Sequence, residues 1–378
     1  MTDLPGEPPV SPEPAESPLD APPPIPEGDP VAPPPAADLS PRSFRFTGSG
    51  AEYFRIWIVN LLLSLITLGI YSAWAKVRRL RYFYGHTSVD GGTFGYHASP
   101  IAILKGRLIA YAVVATLAIV SNVAPLLASV LYLPLLVLTP IVLVRAMRFR
   151  AINSSYRGIR FGFDGLENEA FGVYLLLPML VPFTLGLAYP FVVARQREFM
   201  VDHSRLGRSR FILGLPVWPV YRIYGAAVVA GVAWFGVLAA AVGGTVLVTG
   251  IDGDDPAISP GVALVVLFTY VVVGVVYVCV RTAFENLVWN HTMLDEHRFA
   301  SRLRIPRMLA IYAANIITIA VTLGLAVPWA RVRLARYRAA SLTLLPGGPL
   351  ISEADAAAAE ESATGAELSD AMDLDFGL

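Results

Sequence analysis

Charge is missing from six long stretches of this 378-residue chain, lysine is confined to Lys76 and Lys105, and cysteine occurs once. Each gap excludes something. The lone Cys279 lies inside an apolar run, which rules out a disulfide framework or a cysteine-held zinc and reads as packing. No His-Glu-x-x-His, Walker loop, Gly-x-Ser-x-Gly or dinucleotide fingerprint is present. No acid–base pair and no nucleophile beside a base stands out, so we expect no enzyme, no catalytic residue, no cofactor and no metal. His86, His97, His203, His291 and His297 lack a carboxylate or thiol partner in the pattern, and we expect them at strand starts rather than as ligands. The charge-free runs hold no ionisable group at mid-membrane, which argues against ion-coupled transport.

Basic residues are missing from residues 1–41 and 347–378, each of which carries eight acids. That leaves 13 acids against all 29 bases in between. The first segment holds 15 of the 30 prolines and no apolar face, so we expect a disordered tail and not a signal peptide. The last segment is expected to behave alike, and either tail offers a handle for protein partners. No nucleic-acid partner is expected, and nothing in the pattern speaks to oligomeric state.

What is there is apolar: 55% of the chain is hydrophobic. Residues 56–75, 108–144, 170–194, 223–251, 256–280 and 308–330 carry no Asp, Glu, Lys or Arg. A crossing helix needs about 20 apolar residues, so the longest run holds two helices and the total is seven. Two hairpins, 108–144 and 223–280, have bare or acidic loops at their tips, including Asp252, Asp254 and Asp255, and arginines at their bases. The positive-inside rule makes these four full spans with cytoplasmic bases. The other three helices, near 54–75, 171–194 and 308–330, carry arginine on both flanks and are expected to re-enter on the side they came from.

Those three form a repeat. Thr67, Thr184 and Thr322 are each followed by Leu and by Gly69, Gly186 or Gly324. Trp74, Phe191 and Trp329 come at +7, and Arg78, Arg195 and Arg333 at +11, with Arg81 and Arg336 beyond. On a continuous helix Asn60, Ser64, Thr67, Tyr71, Trp74 and Arg78 share one stripe. That stripe, with Thr184, Asn315 and Thr322, is expected to face protein or a wet cavity, with Asn60, Thr67, Asn315 and Thr322 meeting at the centre. The tryptophans and arginines are expected at headgroup depth, where the arginines meet anionic lipid. Pro190 and Pro328 stand four residues after a glycine, which predicts a kink at Gly69, Gly186 and Gly324 and crowding of any side chain placed there. A bland alternative reads Thr-Leu-Gly as a packing notch and Trp-Ala-x-x-Arg as an interface anchor.

Strand signals flank each copy at 43–50, 86–97, 156–165, 203–214, 295–301 and 339–345, with Asp90-Gly91-Gly92 as a hairpin turn. The fold class expected is a mainly α, polytopic membrane protein with small cytoplasmic β segments. Its membrane domain covers 42–346, with repeats at about 44–97, 156–214 and 295–345, between the two tails. Phe-x-Phe-x-Gly (44–48), Ile-Thr-Leu-Gly-Ile-Tyr-x-x-Trp-Ala-Lys-x-Arg (66–78), Tyr-Arg-Gly-Ile-Arg-Phe (156–161) and Pro-Trp-Ala-Arg-x-Arg (328–333) resemble the YjgN-like family of bacterial inner-membrane proteins. The resemblance implies a multi-pass inner-membrane location, with both termini expected in the cytoplasm, and brings no catalytic residues. The function expected is a membrane scaffold or envelope-associated adaptor. The alternative is an uncoupled permeation or lipid-handling protein with a cavity lined by the polar stripes.

Overall fold

Tight two-residue turns shape one end of the molecule. In the computed structural model, which describes residues 39–249 and 260–348, β3 (Thr87–Val89) and β4 (Gly92–Tyr96) pair across Asp90-Gly91. Arg157-Gly158 joins β5 (Ser154–Tyr156) to β6 (Ile159–Phe163) in the same way. Both residues of each turn have positive φ, 49° and 71° in the first and 49° and 83° in the second, as a hairpin turn matched to strand twist requires. Gly207-Arg208 joins β7 (Ser204–Leu206) to β8 (Ser209–Leu213), and Asp295-Glu296 joins β9 (Thr292–Leu294) to β10 (His297–Ser301).

The fifth hairpin is built from the two ends of the chain. β11 (Leu342–Leu345) pairs with β10 on one edge and with β1 (Arg42–Ser43) on the other. β2 (Arg45–Phe46) continues β1 and pairs with β3. The sheet order β1-β11-β10-β9-β8-β7-β6-β5-β4-β3-β2 therefore closes on itself through Phe44, whose N–H donates to Leu342 O at 3.1 Å. Closure leaves no free edge. All ladders are antiparallel, so the turns lie at one end and every helical connection leaves from the other.

Five helical hairpins make those connections. Three are short. α1 (Gly50–Ile66) turns into α2 (Ser72–Gly85), and α10 (Ile305–Val321) into α11 (Val327–Ala340). Between them in the chain, α5 (Glu167–Phe171), a π segment (Gly172–Leu176) and α6 (Leu177–Phe183) turn into α7 (Tyr189–Asp202). Two are long: α3 (Pro100–Val123) with α4 (Pro125–Ile152), and α8 (Val217–Thr249) with α9 (Pro260–His291). Neighbours pack in chain order and α11 packs on α1, so the helices also form a closed ring.

Four helices, in the two long hairpins, are long and apolar enough to cross a membrane. No more than 17% of any of their apolar windows is buried, so the apolar surface faces outward. The count of seven hydrophobic helices is overturned, as is the picture of small separate β segments. Eleven α-helices occur among the described residues and the β segments merge into one closed sheet. The chain remains mainly α. The miscount has a plain cause: the turn at each Thr-Leu-Gly is itself apolar, so hydropathy runs across it without a break. Residues 1–38 and 349–378, nearly all of the two tails, and the Asp252–Asp255 loop lie outside the described residues.

Candidate functional site

The barrel interior is organised in rings of five. The third residue of β4, β6, β8 and β10 is phenylalanine, Phe94, Phe161, Phe211 and Phe299, and Phe44 stands at the matching place between β1 and β2. Centroid separations around this ring are 6.3 Å, 6.5 Å, 6.3 Å, 6.4 Å and 6.5 Å, which returns to the start. A second ring, Val89, Tyr156, Leu206, Leu294 and Leu344, is buried against it. Six residues after each ring phenylalanine a helical hairpin begins, at Gly50, Pro100, Glu167, Val217 and Ile305. The three sequence copies are therefore three of five equivalent units. The other two were hidden because a long hairpin replaces their Thr-Leu-Gly.

Three of the five histidines belong to this scheme, while His97 bonds Ser155 Oγ at 2.8 Å and His297 accepts from Gly347 N–H at 3.2 Å. His86, Asn153, His203 and Ser341 each follow the second helix of a hairpin, and His291 is the last residue of α9. Their side chains bond the carbonyl four residues back, of Tyr82, Phe149, Phe199, Leu287 and Tyr337, at 2.8–2.9 Å. The carbonyls of Tyr82, Phe149 and Tyr337 also accept the backbone N–H of the same residue, so the side chain adds a second bond at the helix end. The ring phenylalanines of four units lie eight residues beyond these caps. That regular spacing was the available sequence signal for the missed pair.

Above the phenylalanine ring lies an axial chamber of about 560 Å3. Its walls come from the second helix of every hairpin: α2, α4, α7, α9 and α11. Phe83, Met147, Met200 and Trp289 make it apolar, while Arg150, Glu285 and Arg338 place charge at the wall. Arg338 Nη2 stands 3.2 Å from Glu285 Oε2, yet its Nε and Nη2 find no aligned hydrogen-bond acceptor. A second cavity of about 660 Å3 shares Met200, Glu285 and Trp289 with the chamber and opens between α7, α8 and α9.

The motif residues do other work. Thr67, Thr184 and Thr322 sit at the tips of the short hairpins. Each hydroxyl donates to the carbonyl four back, of Leu63, Leu180 or Thr318, and accepts from the N–H of Tyr71, Ala188 or Ala326 at 2.9–3.0 Å. One oxygen thus ends one helix and caps the next. Gly69, Gly186 and Gly324 have φ of +92°, +87° and +93°, and a Cβ built on any of them would meet nothing within 4 Å. The expected crowding is absent, and the demand is for the backbone conformation. Pro190 and Pro328 occupy the first turn of α7 and α11, where a missing N–H costs nothing. A full reversal replaces the expected kink, so offsets on either side of the turn lie on different helices and the continuous stripe does not exist.

Asn315 is buried and links its own hairpin, donating to Ala330 O at 3.3 Å and accepting from Arg333 at 3.2 Å. Asn60 is buried with its Oδ1 unpartnered. The two amides do not pair, and the threonines lie at the tips rather than with them. Ser64 supplies its backbone carbonyl to Gly69 N–H at 2.7 Å. Tyr71 stacks on Trp74 at 6.0 Å, and Trp329 packs on Phe54 at 5.1 Å. Arg81 donates to Tyr96 O, Arg336 to Gly48 O, and Arg195 pairs with Glu198 at 2.7 Å, while Arg78 stays exposed. Several expected lipid anchors therefore hold protein. Tyr82 accepts from Ser49 N–H at 2.8 Å and donates to Ser49 O or Glu52; burial, then the Glu52 bond, pushes its phenol up to about 12.

Comparison with known proteins adds a family. Inner membrane protein YjgN of Escherichia coli O157:H7 is 35% identical over 153 residues, 40% of this chain and 38% of that protein, and the protein of strain K12 matches to the same extent. Its counterpart in Salmonella typhimurium is 33% identical over 137 residues, 36% of this chain and 35% of that protein. The matches thus span under two fifths of the relatives' length. No solved structure matches. The model of a family described as bacterial protein of unknown function (DUF898) matches residues 41–371, nearly the whole chain, and this chain belongs to that YjgN-like family of inner membrane proteins.

Proposed function

We propose that the chain binds an amphipathic, anionic small molecule of the membrane in its axial chamber, with no chemical step. The carrying observation is the chamber wall: aromatic and methionine side chains around an Arg338 guanidinium with unused donors. An acyl chain matches the first and a carboxylate or phosphate the second. The positive-inside rule orients the barrel, both described chain ends and the arginine belt toward the cytoplasm. The lipid-handling alternative read from sequence is kept in altered form, because Thr67, Thr184 and Thr322 are at the hairpin tips and not in the chamber wall.

Trp289 in the wall provides a readout. Titrating decanoate into the purified protein should change tryptophan fluorescence, and Trp289→Phe should remove that change. Arg338→Gln should weaken binding by about tenfold, the worth of one charged hydrogen bond. Unaltered affinity in Arg338→Gln would overturn the assignment. The scaffold reading draws support from the edgeless barrel, which offers no strand edge to stray pairing.

A further inference from the structure

A separate cavity of about 310 Å3 lies between α1, α2, α3 and α11, and its wall is cationic. Lys76, Arg79, Arg107 and Arg331 line it, and no Asp or Glu does. None of the four has a carboxylate partner among the described residues. Arg107 donates to Ser72 Oγ and Arg331 to Tyr53 Oη at 3.2 Å, both neutral groups. Four cations gathered without an anion repel one another, and a low-dielectric wall sharpens that cost. Burial, then the guanidiniums of Arg107, Arg150 and Arg79, holds the Lys76 ammonium below its usual range. An anion placed among them removes the repulsion.

Two further observations define the ligand. Asn60, 6% exposed, lines the same cavity and leaves its Oδ1 buried without a donor. A carbonyl oxygen asks for a hydroxyl or an amine, not for a bare phosphate. The cavity also sits at a sharp polarity boundary. Lys76 ends the charge-free run 56–75, and Arg107 immediately precedes the run 108–144. Basic residues at the end of an apolar helix mark headgroup depth.

We infer that this cavity binds the headgroup of an anionic phospholipid, its phosphate among Lys76, Arg79, Arg107 and Arg331 and a headgroup hydroxyl donating to Asn60 Oδ1. Phosphatidylglycerol has both groups, phosphatidylmethanol has the phosphate alone, and phosphatidylcholine has no net charge. The site shares none of its four cations with the axial chamber, so failure of the chamber assignment leaves it standing.

The test is lipid retention by the full-length protein in detergent, read by native mass spectrometry. Phosphatidylglycerol should be retained about tenfold better than phosphatidylmethanol, and the latter better than phosphatidylcholine. Asn60→Leu should abolish the first preference and keep the second. Lys76→Gln with Arg107→Gln should bring both anionic lipids to the phosphatidylcholine level, whereas Lys76→Arg with Arg107→Lys should retain phosphatidylglycerol and so separate lost charge from lost folding. Equal retention of phosphatidylglycerol and phosphatidylcholine by the unaltered protein overturns the site, as does a preference that survives the charge-removing pair. Displacement of lipid by millimolar glycerol 3-phosphate keeps the chemistry and overturns the lipid as its source.

Discussion

At the scale of single residues, chemistry that looked functional turns out to be conformational. A glycine four residues before a proline suggested a packing conflict. The structure shows instead a residue at φ +93° with open space around it at Gly324, preceded by Leu323 at φ +50° and 94% exposed. The chain spends two consecutive left-handed residues on the reversal, and only one of them is glycine. Gly324→Ala and Gly324→Leu should therefore destabilise alike, by about 1–2 kcal/mol, because the backbone and not the side-chain volume is strained. Thermal unfolding in detergent separates the cases. A loss that grows with side-chain size would restore the crowding account.

At the scale of elements, the decisive feature is that each short arm stops at its threonine. The 17 residues of α1 rise about 25 Å, much of it beside the basic belt, and the chain then returns. Tip residues Ile66, Leu68, Phe183, Leu185, Val321 and Leu323 are 77–94% exposed and apolar, which suits entry into one leaflet. The long arm of α3 and α4 places its reversal at Ala124, beyond 24 apolar-rich residues of α3. In a Cys279→Ser background, an impermeant thiol reagent added from outside should label Ala124→Cys in whole cells. It should not label Leu185→Cys or Arg208→Cys. Labelling at Arg208, on a barrel turn, would place the barrel outside and reverse the orientation.

At the scale of the whole molecule, five unequal arms stand on one nearly symmetric base. Each ring phenylalanine touches two others, so the ring is a closed set of contacts rather than five independent ones. Phe161→Ala and Phe211→Ala should each cost about 3–5 kcal/mol. As neighbours they should couple, with the double variant falling short of the sum by about 0.5–1.5 kcal/mol. The non-adjacent pair Phe94→Ala and Phe211→Ala should be closer to additive. Chemical denaturation of the detergent-solubilised protein measures both, and equal coupling in the two pairs would show that the ring does not act through neighbour contacts.

Local composition alone determined which residues meet lipid, because transfer from water depends on the side chain and its immediate neighbours. The four spanning-length helices, the basic belt, the Asp90-Gly91 turn and the family motifs around Thr67 and Trp329 were all legible in that way. Strand partners were not. Pairing of Arg42 with Leu344 joins positions 302 residues apart, and no local signal encodes it. The same long-range closure brings α11 against α1, and with it Arg331 to the cavity of Asn60, Lys76 and Arg107. Hydropathy along the chain also ran unbroken through Thr-Leu-Gly, since the reversal there depends on backbone φ and a threonine hydroxyl, neither of which alters apolar character. Only the tertiary structure showed that the three short arms reverse fully at Thr67, Thr184 and Thr322, and set five phenylalanines from distant segments around one axis.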